Sequence, residues 1–217
     1  MQARFRPRFA AVVALVAWAA LIVQLCLSLR ISADNGRGIV MGVVLYFGFF
    51  TILSNLGAAL ALTLPPLRPR SALGRFFARP GVHTAIAAYL VIVGIAYTAL
   101  LRRTWDPQGV QLVVDHMLHD AMPLLFLAWW WFAVPKHSLA WSEIPYWLLF
   151  PVLYFATILV RGTLTGTYPY PFIDAGRLGL MQATTNALCV LVLLFVVAAI
   201  LIGLGRLQLR WERRELA

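Results

Sequence analysis

Residues 110–134 read VQLVVDHMLHDAMPLLFLAWWWFAV, an apolar run whose first half carries Asp115, His116, His119 and Asp120. An α-helix rises about 1.5 Å per residue, so this run is long enough to cross a hydrocarbon core of roughly 30 Å. At about 100° per residue, Asp115, His116, His119, Asp120 and Pro123 fall within an arc of about 140° on one helix face. Val114, Met117, Leu118, Ala121 and Leu125 lie opposite. Ionisable side chains at membrane depth are costly unless they face protein or a water-filled cavity. The polar face is therefore expected to look into a helix bundle, and the apolar face toward lipid or neighbouring helices.

Five further runs, at 9–29, 39–64, 82–101, 143–161 and 176–205, are also long and apolar enough to span. The chain thus reads as an all-α, polytopic membrane bundle of six transmembrane helices, with 1–217 forming one transmembrane domain. Its composition agrees. The 217 residues are 62% hydrophobic and 12% charged, more apolar surface than a soluble domain of this length can hide. The net charge of +10 lies in short clusters between apolar runs, a pattern for a membrane protein and not for a nucleic-acid partner. The first run, from Phe9 to Leu27, is too long for a signal-peptide core and lacks a small-residue cleavage site, so it reads as a retained helix. Cys26 and Cys189 lie inside apolar runs, with no spacing that suggests a disulfide or a metal pair.

Twelve of the eighteen basic residues fall in the N-terminal tail, the 64–82 loop, the 135–142 loop and the C-terminal tail. The positive-inside rule then places both termini in the cytoplasm. Arg68, Arg70, Arg75 and Arg79, in a proline-rich loop, are placed to meet anionic headgroups. Lys136 is the only lysine, and the bias toward Arg, Ala and Leu suggests a GC-rich bacterial source, hence a multi-pass protein of a bacterial plasma membrane. Trp129, Trp130, Trp131, Trp141 and Trp147 are expected to form an aromatic belt at the cytoplasmic interface.

Other spans carry polar residues too. Thr51, Ser54 and Asn55 share one face of the second span by their spacing, and the sixth holds Gln182, Thr184, Thr185 and Asn186. Tyr97 and Thr98 in the third span and Tyr154 and Thr157 in the fifth add to these. Spans two, four and six begin on the same side, and helical rise puts Thr51, His119 and Asn186 at similar depths, roughly 14 to 18 Å in. Helix-packing polar residues have no reason to share a level. Above it, the 161–174 loop contains Tyr168-Pro-Tyr170-Pro-Phe172, a stiff aromatic segment that reads equally as a lid or as an interfacial anchor.

These residue types compose a known chemistry. A threonine hydroxyl becomes a nucleophile when a neutral histidine takes its proton, and a carboxylate on the far ring nitrogen fixes the tautomer. Thr51, His119 and Asp115 supply those parts. Asn55 or Asn186 is placed to donate to an oxyanion. No G-x-S-x-G elbow is present.

The stretch Phe49-Phe50-Thr51-Ile52-Leu53-Ser54-Asn55, the histidine shortly before a proline in 119–123, and Tyr168-Pro169-Tyr170-Pro171-Phe172 resemble the androgen-induced six-span membrane proteins and their bacterial relatives. The resemblance runs from about the second to the sixth span through short motifs. It implies a hydrolase of fatty acid esters of hydroxy fatty acids or similar lipid esters, with Thr51 as nucleophile and His119 as base. His116 is the competing base. Asp115 and Asp120 enter only through their spacing. Ser54, Asn55, His116, Asn186, Tyr168 and Tyr170 are the candidate substrate-binding or oxyanion residues, the partner is a lipid or fatty acyl substrate, and no cofactor or metal is expected. Two other readings stay open: haem or metal held by His83, His116, His119 and the acidic pair, and a proton-coupled transporter. His83 sits at the opposite membrane side from His116, which weakens haem. The lack of an inverted repeat or of obviously broken helices weakens transport.

Overall fold

A computed structural model gives the architecture and describes residues 2–215. The side chains of Arg4, Arg6 and Arg213, counted in the charge balance above, lie outside the described ones. The helices are α1 (Gln2–Asp34), α2 (Gly38–Tyr46), α3 (Phe50–Leu67), α4 (Ala72–Phe77), α5 (Pro80–Ala96), α6 (Val110–His116), α7 (Met122–Ala133), α8 (Ile144–Thr165), α9 (Ala175–Leu178) and α10 (Leu180–Glu215). Two π-helical turns, Tyr97–Leu101 and Met117–Ala121, extend α5 and join α6 to α7. Six segments are long and apolar enough to cross a membrane: Pro7–Asp34, Phe50–Leu67, Pro80–Leu101, Val110–Ala133, Trp141–Thr165 and Leu180–Glu212. The protein is a multi-pass helical membrane protein, and no strand occurs among the described residues.

α5 is the most enclosed span, packed against α3, α7, α8 and α10. Small residues make that possible. Ala85, Ala87 and Ala88 on α5 and Ala58, Ala59 and Ala61 on α3 are buried, so the backbones approach closely where apolar lipid supplies no squeezing force.

The second span differs from expectation. In place of one helix over 39–64, α2 and α3 are separated by a break at 47–49. The upper piece follows α1 closely. A Cβ on Gly42 would lie 3.0 Å from the Ser32 Cβ and 3.1 Å from the Leu29 Cα, while Tyr46 donates to the Leu21 carbonyl at 2.9 Å. Open backbone is costly in a membrane interior, so the break needs partners. The Tyr154 hydroxyl accepts from the Phe50 N–H at 3.2 Å and donates to the Gly48 carbonyl at 2.8 Å. The Arg161 guanidinium occupies the space that a side chain on residue 48 would need.

The tryptophan belt also needs correction. Trp130 is fully buried and donates to the Thr84 hydroxyl at 2.9 Å, and Trp147 is buried as well. Among the five, Trp141 is the one well exposed. Trp130 and Trp147 pack inside the bundle instead of lining an interface.

Candidate functional site

The break before α3 creates a helix N-terminus inside the bundle. Thr51 sits in its first turn, 6% exposed, with its backbone N–H not yet part of the helical ladder. That N–H donates to the Tyr170 hydroxyl at 3.4 Å. The Thr51 Oγ1 lies 3.3 Å from the His119 Nε2. On its other side, the His119 Nδ1 is 3.0 Å from the Asp115 backbone carbonyl and 3.3 Å from the Asp115 Oδ1. A carbonyl can only accept, so Nδ1 carries the proton and Nε2 offers its lone pair to the threonine hydroxyl. This is the tautomer a general base requires.

Asp115 is 4% exposed, and the Tyr97 hydroxyl donates to its second carboxylate oxygen. The Tyr97 ring also stacks on the His119 imidazole, with centroids 4.1 Å apart and planes 12° from parallel. Both residues belong to the π-helical turns. A π turn inserts an extra residue per turn, and such turns recur at functional sites because they re-aim side chains.

The expected polar face divides. Asp115 and His119 turn inward, whereas the His116 side chain is 53% exposed and meets Asp120 at 2.7 Å, which in turn pairs with Arg102. An arc of about 140° is too wide for one narrow contact seam, and the π turn within it shifts the phase further. His116 therefore lies away from Thr51, and the two Asp–His pairs do not converge. Among the described residues, no three His, Cys, Asp or Glu side chains are placed to hold one metal ion.

The remaining candidates occupy distinct positions. Asn55 is fully buried, and its Nδ2 donates to the Thr51 carbonyl at 2.8 Å and the Leu118 carbonyl at 3.3 Å. It rivets α3 to the π turn that carries His119, and its donors are already committed. The Ser54 Oγ and the Asn55 Oδ1 have no hydrogen-bond partner among the described residues. Asn186 donates to the Phe172 carbonyl at 2.8 Å and accepts from Gln182 at 2.9 Å, so it fastens the 167–173 loop to α10. Tyr168 packs its ring where a side chain on Gly162 would stand. Tyr170 reaches the site itself. Its ring stacks on Phe172, and burial raises its phenol above the ordinary value, which keeps the hydroxyl protonated. Asn55 and Asn186 thus position backbone, while the Thr51 N–H and the Tyr170 hydroxyl meet each other beside the Thr51 side chain.

Two cavities meet at this point. One, of about 340 Å³, is bounded by Tyr46, Phe49, Leu118 and Tyr170 and opens beneath Thr104 and Trp105. The other is a slot of about 40 Å³ among Ile92, Val93, Phe155, Val190 and Leu194. Thr51 and His119 line both.

Sequence reasoning missed the partnerships of Tyr97 and Tyr154, and it did not single out Gln24 and Gln111, which bond to each other at 2.8 Å across α1 and α6. The signal was available for the glutamines, since both are polar residues within spans. No family model, curated protein or solved structure matches this chain, so the reading of its site rests on the geometry described above.

Proposed function

We propose that the protein is an intramembrane hydrolase of lipid esters, fatty acid esters of hydroxy fatty acids or similar, with Thr51 as nucleophile and His119 as base. The observation that carries this reading is the chain of contacts Thr51 Oγ1–His119 Nε2 and His119 Nδ1–Asp115, buried where two apolar cavities join. In the proposed reaction, Nε2 takes the hydroxyl proton as the Thr51 oxygen adds to the ester carbonyl. As charge develops, the Thr51 N–H exchanges the Tyr170 hydroxyl for the oxyanion, and the Tyr170 O–H donates to it as well. The tetrahedral intermediate collapses, and the alcohol leaves with the proton from Nε2. Water then attacks the acyl-threonine, giving its proton to His119, and the acid departs as the Thr51 hydroxyl is restored. Asp115, held by Tyr97, keeps the imidazole oriented and stabilises its protonated form.

The arginine distribution supports a bacterial plasma membrane, with both termini cytoplasmic and the cavity mouth on the outer side. Detergent-purified protein should hydrolyse long-chain esters and be labelled by a fluorophosphonate at Thr51. Thr51→Ala should abolish labelling and lower kcat/KM by about 10³-fold or more. Wild-type rates in that variant would overturn the mechanism. The break before α3 favours one second reading, a proton-coupled transporter, because transporters bind at interrupted helices. It predicts proton-linked substrate uptake into vesicles without ester cleavage.

A further inference from the structure

The larger cavity has a second polar end. Gln24 and Ser28 of α1 and Gln111 of α6 line its wall. The Gln111 Nε2 donates to the Gln24 Oε1 at 2.8 Å, and the Gln24 Nε2 donates to the Ser28 Oγ at 3.3 Å. That relay leaves capacity unspent: the Gln111 Oε1 has no partner among the described residues, and each amide keeps a second N–H. A lone interhelical clamp explains the Gln24–Gln111 bond, but not why three hydrogen-bonding side chains share the wall of the cavity that holds Thr51 and His119.

Two quantities define what this end would bind. The first is distance. Gln111 precedes His119 by two helical turns, about 12 Å along the axis. An extended chain advances about 1.2 Å per bond, so a group at this end stands about ten bonds from an ester carbonyl at Thr51. The second is charge. Among the described residues, no arginine or lysine lines the cavity, and its one carboxylate, Asp115, is committed to His119 and Tyr97. An anion here would lose hydration with no cation to replace it.

We propose that Gln24, Ser28 and Gln111 form a distal subsite that selects esters carrying an uncharged hydrogen-bonding group, such as a hydroxyl or amide, about ten bonds from the scissile carbonyl. This rests on the ester-hydrolase reading, and it requires the carboxylate-bearing arm of a hydroxy fatty acid ester to lie outside this cavity. The subsite acts as a ruler, rewarding a polar group at that separation and not at shorter ones.

The test compares p-nitrophenyl esters of undecanoate, 11-hydroxyundecanoate, 6-hydroxyhexanoate and the half-ester of dodecanedioate, using detergent-purified full-length protein. Wild type should cleave the 11-hydroxy ester about tenfold faster in kcat/KM than plain undecanoate, the worth of about one hydrogen bond. It should show no such gain with the 6-hydroxy ester and a loss with the carboxylate-ended one. In Gln111→Leu the ratio of 11-hydroxy to plain ester should fall to about one, and a ratio taken within one variant is insensitive to how much of it folds. Gln111→Lys should reverse the preference toward the carboxylate-ended ester. Equal rates for hydroxylated and plain esters in wild type, a preserved ratio in Gln111→Leu, or wild-type preference for the carboxylate would each overturn the subsite while leaving the hydrolase reading intact. Failure to cleave any of the four esters would remove both.

Discussion

Each end of the bundle holds an inward-turned histidine, His83 buried and His119 half-buried, and the two are spent differently. His83, in α5, accepts at Nδ1 from the Trp129 indole N–H at 3.3 Å and stacks on Phe126. With Nδ1 accepting, the other ring nitrogen of a neutral imidazole carries the proton, so no lone pair is left for a reacting hydroxyl. His119 uses Nδ1 on Asp115 and aims its Nε2 lone pair at a hydroxyl on a cavity wall. A cavity adjoins each histidine, one of about 340 Å³ at His119 and one of about 510 Å³ at His83, so proximity to a void does not separate them. What separates them is whether a ring nitrogen remains for a reacting atom. The same end as His83 holds Lys136, buried and donating to the Trp130 and Val134 carbonyls at the end of α7, where a cation meets the negative end of the helix dipole.

The sharpest break of this comparison comes from His119→Ala. If Nε2 takes the Thr51 proton, kcat/KM for a long-chain ester should fall by about 10³-fold or more, and Thr51→Ala combined with His119→Ala should be little worse than either alone. Additive losses in the double variant, or a loss below about tenfold in the single one, would show that the two residues do not work as a unit.

Tyr170→Phe gives a smaller effect. It removes the O–H proposed to meet the oxyanion but leaves the Phe172 stacking in place. We expect kcat to fall about 10- to 100-fold with little change in KM, somewhat less than the loss of a full oxyanion-hole donor because the Thr51 N–H remains. A rise in KM at constant kcat would instead assign Tyr170 to ground-state binding.

These residues also show how far the sequence could be read. Six spans were legible because length and hydropathy depend only on composition along the chain. The pairing of Thr51 with His119 was foreshadowed by their shared depth, since helical rise converts residue number into height. Rotation was less secure than height. Assigning a constant 100° per residue put His116 and His119 on one inward face, and a π turn at 117–121 cannot be read from residue types. The break at 47–49 was equally hidden, because the groups that satisfy it, Tyr154 and Arg161, lie about a hundred residues away in sequence. Asn55 looked available to an oxyanion because its side chain has donors. Only the tertiary structure shows those donors committed to Thr51 and Leu118.

The smallest effect on catalysis is expected from His83→Ala, and it tests the other half of the comparison. The substitution strands the Trp129 N–H, costing about 1–3 kcal/mol if nothing replaces its partner. Part of that cost is recovered if water reaches it through the adjoining cavity, which His83 and Trp129 line. Stability in detergent should therefore fall measurably, while kcat/KM per folded molecule stays within about twofold of wild type, since the hydrogen bond and ring contacts of His83 go to Trp129 and Phe126 and not to Thr51 or His119. Thermal unfolding monitored alongside active-site titration with the fluorophosphonate separates the two quantities. A His83→Ala protein that remains folded but loses turnover would place chemistry at that end of the bundle as well. The rule drawn from the two histidines, that an imidazole whose lone pair is already spent is structural, would then fail in this fold.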